Sequence, residues 1–198
     1  MTDHATSHRA VLVACEFSGA VRDALRRRGV DAVSCDLLPC ETPGPHIVGD
    51  VLEHIDDGWD MMIAFPPCTH LCVSGARWWS EKAAEQADAL EFVHALWHAP
   101  IARVALENPI GILSSAWRRP DQIIQPWMFG HGETKATCLW LRGLPPLVAT
   151  VFDQGREARV HHEPPGPDRW RRRSKTFEGV AQAMADQWAG FAAREAVA

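Results

Sequence analysis

A cysteine that directly follows two prolines is the strongest chemical signal in this sequence. Pro66-Pro67-Cys68 comes after the apolar run 60–65, which is typical of a buried strand. Proline cannot continue a central strand, so the pair ends the run and presents the Cys68 side chain at the edge of the sheet. A thiol there can ionise and attack an electrophilic carbon. The competing interpretation is a small buried hydrophobic residue, but the Pro-Pro stop favours a nucleophile.

A carboxylate follows the next predicted strand. Glu107-Asn108-Pro109 comes directly after the apolar run 102–106. Burial raises the pKa of a glutamic acid, so Glu107 could hold a proton for an acceptor nitrogen of a ligand. An ordinary carboxylate at a strand end is the alternative, and the predicted proximity of Cys68 favours function.

A glycine turn near the N-terminus has the features of a nucleoside site. Glu16-Phe17-Ser18-Gly19 lies between a predicted strand and a predicted helix. Glycine lets the backbone approach a ligand, and a helix N-terminus favours anionic groups. Asp36 lies 17 residues beyond Gly19, a spacing that suits a ribose hydroxyl pair. A plain strand-to-helix turn and a loop carboxylate remain the alternatives.

The elements that must position these residues alternate between strand and helix. Apolar runs predict strands at 10–15, 32–35, 46–48, 60–65, 102–106 and 136–141, and helical spacing predicts helices at 21–28, 81–98 (capped by Ser80) and 179–193. This alternation predicts an α/β, Rossmann-like fold, a mostly parallel sheet with helices on both faces. The polar residues then gather at the carboxyl ends of the strands, where such sheets bind ligands.

Length and composition predict one domain. The chain has 198 residues, of which 46% are hydrophobic, which suffices for a single core. We expect a disordered tail at 1–8 and one catalytic domain at 9–198, with an irregular insert at about 142–172. The N-terminus is polar and carries no signal peptide or membrane segment, and the six cysteines lack disulfide-scaffold spacing. We therefore expect a cytoplasmic protein with reduced thiols.

The charge distribution restricts how the chain could bind nucleic acid. The formal net charge is -5, so binding would need a local basic patch. Residues 169–175 place five basic side chains around one tryptophan. The alternative for this segment is a solvated charged turn.

Two further motifs have weaker implications. Cys68-x-His70-x-Cys72 suggests zinc, but no second pair of ligands follows at the usual spacing, so we predict no metal site. Trp78-Trp79 could stack on a base or lie buried under the long helix.

Together these residues resemble the DNA cytosine-5 methyltransferase family. The resemblance covers about residues 10–110, and residues 173–181 look like the last motif of short, phage-type members. It implies a methyltransferase that uses S-adenosyl-L-methionine, with DNA as partner. The implied catalytic residues are Cys68, which adds to cytosine, and Glu107, which contacts its Watson–Crick edge. The implied cofactor-binding residues are Glu16, Phe17, Ser18, Gly19, Asp36 (ribose), Leu37, Asp50 (adenine) and Pro66. The substrate-binding candidates are Pro67, Trp78, Asn108, Arg171, Arg172, Arg173 and Lys175.

The sequence departs from the family pattern in ways that leave the substrate open. No Gln-Arg-Arg motif is present, and Lys135 or Arg142 are weak substitutes. Only residues 142–172 stand where the family holds a large target-recognition domain. The alternatives are therefore the same chemistry on free deoxycytidine nucleotide, transfer from a carboxylated analogue of the cofactor, and a non-catalytic DNA-binding module.

Overall fold

The fold is an alternation of short strands and helices. The structure is a computed structural model that describes residues 11–73, 82–151 and 155–192. The strands are β1 (Val11–Ala14), β2 (Ala32–Asp36), β3 (His46–Val48), β4 (Met61–Ala64), β5 (Arg103–Pro109), β6 (Gln122–Ile124) and β7 (Thr137–Arg142). The helices are α1 (Ala20–Arg27), α2 (Ala83–His98), α3 (Leu113–Ala116), α4 (Arg169–Ser174) and α5 (Glu178–Ala192).

The strands form one seven-stranded sheet in the order β3-β2-β1-β4-β5-β7-β6. The pairs from β3 to β5 are all parallel, and β7 runs antiparallel to both of its neighbours. The chain order reverses beside β1, so the carboxyl ends of β1, β2, β4 and β5 meet at one edge. Sheets of this kind bind ligands at that edge.

Both faces of the sheet are covered. Val11 and Val13 pack on the face that carries α1 and α5, whereas Leu12 and Ala14 pack on the face that carries α2. This alternation explains why the central strands read as continuous apolar runs, since strands buried on both faces carry no polar side. The predicted α/β, Rossmann-like architecture is confirmed.

Four elements differ from the sequence expectation. The insert at about 142–172 was expected to be irregular, but α4 begins within it at Arg169. Strand β6 and helix α3 were also not predicted. Strand β5 continues through Glu107 and Asn108 to Pro109, so both side chains lie within the paired strand rather than beyond it. Ser80, the predicted cap of the long helix, lies outside the described residues, and the domain boundaries stay a prediction.

No helix in the parts of the chain that the structure describes is both long and apolar enough to cross a membrane.

Candidate functional site

Cys68 lies on a tight turn beyond the end of β4. Pro66 is buried and Pro67 is exposed, so the chain leaves the sheet between them. The amides of Leu71 and Cys72 both donate to the Cys68 carbonyl, at 3.1 and 3.0 Å. Residues 68–72 therefore form one helical turn, and this turn brings the Cys68 and Cys72 side chains to the same side.

The end of β5 holds this turn in place. The side-chain amide of Asn108 donates to the Pro66 carbonyl at 2.8 Å, and the Ile112 amide donates to the Leu71 carbonyl at 2.8 Å. Gly111 pairs with Cys72, and a Cβ at Gly111 would lie 1.9 Å from the Leu71 carbonyl oxygen. Only glycine allows this close approach.

The Cys68 thiol is half-buried and strongly disposed to stay protonated. A hydrogen bond with the Cys72 thiol, burial, and the negative charge of Glu107 all raise the pKa of Cys68, whereas Lys135 lowers it. Because the thiolate is the nucleophile, Cys68 must give up its proton during the reaction and does not carry a negative charge beforehand. These interactions also place Cys68 within electrostatic reach of both Glu107 and Lys135.

Glu107 lies beside an opening at the same edge. Burial raises the pKa of its carboxyl group, against the positive charge of Lys135 and a hydrogen bond with the Thr137 hydroxyl. Its side chain lines a small cavity of about 30 Å³ together with Lys135, Thr137 and Phe177.

Lys135 is the cation of this site. Its backbone amide donates to the Gln125 side chain at 2.9 Å, and its ammonium group donates to the Arg173 carbonyl at 2.8 Å. Sequence reasoning gave Lys135 only a weak role, since nothing in the sequence places it beside β5. Arg142, the other candidate, is used elsewhere, because its guanidinium donates to the carbonyls of Trp97, Ala99 and Ile101 beyond helix α2.

The polar side chains of the glycine turn after β1 bond to each other and to the first amides of α1. The Glu16 carboxylate accepts from the Val21 amide at 2.6 Å and from the Arg22 amide at 3.3 Å, which caps α1. The Ser18 hydroxyl bonds to the same carboxylate at 3.4 Å. Burial raises the pKa of Glu16 to about 7. Contacts with a cofactor from Glu16 and Ser18 would therefore come from their backbone. Gly19 adopts φ 75°, a backbone conformation that favours glycine.

Two carboxylates stand at the ends of β2 and β3. Asp36 accepts from the Leu38 amide at 2.9 Å, and burial raises the pKa of its carboxyl group. Asp50 accepts from the Leu52 amide at 3.0 Å. The side chain of Leu37 is 74% exposed beside them. These groups could hold the ribose hydroxyls and the purine of a nucleoside.

Cys15 is a residue of this crevice that sequence reasoning missed. It is a non-glycine residue with φ 58°, directly after β1. Burial raises the pKa of its thiol, and the charges of Asp36 and Asp50 raise it further. Strained backbone of this kind clusters at functional sites, but nothing in the sequence indicates a positive φ at a cysteine.

The basic cluster contains a helix, and three of its five cations are paired with carboxylates. Arg171 and Lys175 each contact the Glu41 carboxylate at 2.5 Å, and Arg172 pairs with Glu163. The segment Arg169–Ser174 is a helix and not the turn that we considered, and most of its side chains are exposed to solvent. Exposed ion pairs of this kind are weak and exchange readily, so the cluster remains a candidate phosphate contact.

Two remaining expectations concern the loop after Cys68. Within residues 11–73, 82–151 and 155–192, no group of three or more His, Cys, Asp or Glu could hold a metal ion. Trp78, a substrate-binding candidate, lies outside the described residues.

Comparisons with solved structures bear on this arrangement. A prophage-encoded E. coli protein assigned as a DNA modification methyltransferase superposes with a TM-score of 0.51 at 12% identity, over 78% of this chain and 55% of that one. The chain has a methyltransferase fold. S. pombe Dnmt2 methyltransferase superposes with a TM-score of 0.47 at 14% identity, over 77% of this chain and 53% of that one.

The methyltransferase fold is shared without close sequence relationship. The chain spans about half the length of both solved structures. No protein-family profile and no curated protein matches the sequence. What the methyltransferase fold does in this chain is therefore argued from its site.

Proposed function

We propose that this chain transfers a methyl group from S-adenosyl-L-methionine to carbon 5 of cytosine in DNA, through a covalent bond between Cys68 and carbon 6. The observation that carries the proposal is the meeting of Cys68, Glu107 and Lys135 at the carboxyl edge of β4 and β5. A thiol, a carboxyl group of raised pKa and a cation beside a cavity are suited to this chemistry.

The two central residues have complementary tasks. Carbon 5 of cytosine is a poor nucleophile until a thiolate adds to carbon 6. The Cys68 thiolate makes that bond, and protonated Glu107 donates a hydrogen bond to ring nitrogen 3, which stabilises the negative charge that the addition produces. After the methyl group is attached, carbon 5 loses its proton, the carbon–sulfur bond breaks, and the Cys68 thiolate leaves.

Lys135 supports both residues electrostatically. Its positive charge lowers the pKa of the Cys68 thiol and therefore favours the thiolate. It also lines the cavity beside Glu107, where a carbonyl oxygen of a pyrimidine would meet a positive charge. A cytosine in duplex DNA must first leave the base stack before a thiolate can reach carbon 6.

The residues of the neighbouring crevice fit the cofactor. Asp36 and Asp50 offer carboxylate oxygens to hydroxyl and amino groups, and exposed Leu37 offers an apolar surface to a purine. When bound, S-adenosyl-L-methionine supplies an electrophilic methyl group on a sulfonium.

Free deoxycytidine nucleotide is the second candidate substrate. Two observations favour it: the chain has a net charge of -5, and three cations of α4 and its flank are already paired with Glu41 and Glu163. A nucleotide needs no target-recognition domain.

Transfer of a radiolabelled methyl group tests the proposal and separates the substrates. We expect label in DNA and none in deoxycytidine nucleotide, and we expect Cys68→Ala to abolish labelling while Cys40→Ser keeps it. Label only in the nucleotide would favour the second candidate. DNA retention without label on either substrate would favour a non-catalytic binding module. The mass of the modified nucleoside distinguishes a methyl from a carboxylated group.

A further inference from the structure

Helix α4 crosses the chain to lie against the glycine turn that follows β1. The Trp170 and Phe17 ring centroids are 5.9 Å apart at an interplanar angle of 56°. The Arg171 guanidinium lies 5.8 Å from the centroid of the Phe17 ring. Phe17 is only 8% exposed. A segment near the C-terminus therefore covers a residue at the crevice of β1 and β2.

Glu41 connects the glycine turn to helix α4. Its backbone amide donates to the Phe17 carbonyl at 2.9 Å. Its carboxylate contacts both Arg171 and Lys175 at 2.5 Å. One residue is thus fixed to the turn through its backbone and to α4 through its side chain, which sets the position of the helix over the turn.

The loop that carries Glu41 is itself firmly held. Buried Arg22 donates to the Thr42 hydroxyl at 2.7 Å, to the Pro43 carbonyl at 3.1 Å and to the Ser34 hydroxyl at 3.2 Å. The guanidinium therefore links this loop to both α1 and β2. Glu41 is consequently a fixed anchor for α4 rather than an exposed acid on a loose loop.

Trp170 remains about half exposed to solvent despite these contacts. It is 55% exposed, and the crevice also presents Leu37, which is 74% exposed. An indole that packs on Phe17 and is still half exposed keeps a flat surface on which another ring can stack. Because Phe17 lies in the turn after β1, that surface is near the edge of the sheet where such folds bind nucleotides.

We propose, building on the function proposed above, that α4 forms the roof of the cofactor pocket and that Trp170 stacks on the adenine ring of the bound cofactor. Glu41 is then a positioning residue that holds the roof through Arg171 and Lys175. The alternative is that Trp170 only shields Phe17 from water and touches no ligand.

Calorimetric titration of the full chain with S-adenosyl-L-homocysteine tests whether Trp170 of α4 contacts the cofactor. We expect Trp170→Ala to weaken binding at least tenfold and Trp170→Phe to stay within threefold of the original protein. Trp127→Ala is the matched control, because it removes a tryptophan that packs under Arg156 instead, and we expect it to bind normally. Far-UV circular dichroism checks that each variant is folded.

A second probe identifies the part of the ligand that Trp170 contacts. The nucleoside 5′-methylthioadenosine lacks the amino acid portion, so a stacking contact predicts the same proportional loss in Trp170→Ala. Glu41→Gln should weaken the binding of both probes severalfold, because α4 is no longer held in place although the Trp170 ring is still present.

The outcomes separate the two proposals. If the original protein binds S-adenosyl-L-homocysteine but folded Trp170→Ala binds it within twofold, the roof is wrong and the proposed function stands. A loss seen with S-adenosyl-L-homocysteine but not with 5′-methylthioadenosine also overturns stacking on adenine. If the original protein binds neither probe, the proposed function fails and the roof fails with it.

Discussion

The side chain of Asn108 donates a hydrogen bond to the backbone carbonyl of Pro66 at 2.8 Å. This bond joins the end of β5 to the chain that has just left β4. Because Glu107 precedes Asn108 and Cys68 follows Pro66 by two residues, the bond fixes the relative position of the carboxyl group and the thiol. Asn108 was a substrate-binding candidate, and its donor group is instead used inside the protein.

Replacing Asn108 tests this link. We expect Asn108→Ala to lower the free energy of unfolding by about 1–3 kcal/mol, because the buried Pro66 carbonyl loses its donor. Methyl transfer should fall more steeply than stability, since the Cys68 turn is no longer held. Chemical denaturation and initial rates measure the two effects. Gln86→Ala removes a bond to the His70 carbonyl at the other side of the turn, and an equal loss of activity there would argue against a special role for Asn108.

Gly111 is the second support of the turn. A Cβ at this position would meet the Leu71 carbonyl oxygen at 1.9 Å, so Gly111→Ala must push the turn away from β5. We expect a clear loss of stability and at least a tenfold loss of methyl transfer. Gly190→Ala, where a Cβ meets nothing within 4 Å, should instead stabilise α5 by about 0.5–1 kcal/mol. Thermal unfolding and initial rates compare the pair, and full activity in Gly111→Ala would contradict the assigned geometry.

The pH dependence of kcat/KM should follow Glu107 on its acid side. The active form carries a single proton between Cys68 and Glu107, so activity rises as the pair loses its first proton. Burial raises the pKa of Glu107, and the acid limb should therefore lie above the range of an ordinary carboxyl group. Glu107→Gln should lower the rate and move this limb to the higher pH at which Cys68 alone loses its proton.

Lys135 provides an independent check on that assignment. Its charge lowers the pKa of both Glu107 and Cys68, so Lys135→Met should move the acid limb to higher pH and reduce activity at neutral pH. A pH–rate profile of the variant measures the shift. An acid limb that stays in place would show that Lys135 does not act on the titrating pair.

The basic helix gives a prediction about DNA. If Arg172 leaves Glu163 to contact a phosphate, Arg172→Gln should weaken binding at low salt and reduce the slope of log K against log salt by about one. Arg119→Gln, an exposed arginine between α3 and β6, serves as the comparison. Fluorescence anisotropy over a salt series measures both, and identical slopes in the original protein and Arg172→Gln would remove this helix from the interface.

The fold was largely predictable because its central strands are buried on both faces. Runs such as 61–65 contain no polar residue until the strand ends, and the same ends place Asp36, Cys68 and Glu107 at one edge. Strand β6 was missed because Gln122–Ile124 is too short to show any periodicity. Helix α4 was missed because RWRRRS has no apolar stripe, and what holds it is distant Glu41.

The site was predictable only where it follows strands in chain order. Lys135 reaches Glu107 because β7 pairs antiparallel with β5, and no local pattern reveals that pairing. The internal use of Glu16 and Ser18, the positive φ of Cys15 and the position of Trp170 against Phe17 also depend on tertiary contacts. The sequence therefore indicated the reacting groups but not the residues that hold and tune them.

Trapping with DNA that contains 5-fluorocytosine tests the covalent role of Cys68 most directly. Fluorine at carbon 5 prevents the final loss of a proton, so the adduct should persist in the presence of S-adenosyl-L-methionine. We expect mass spectrometry to find the modified cytosine on the peptide that contains Cys68, to find it also in Cys40→Ser, and to find none in Cys68→Ser. Turnover of ordinary DNA with no adduct, or an adduct on any other residue, would contradict the account.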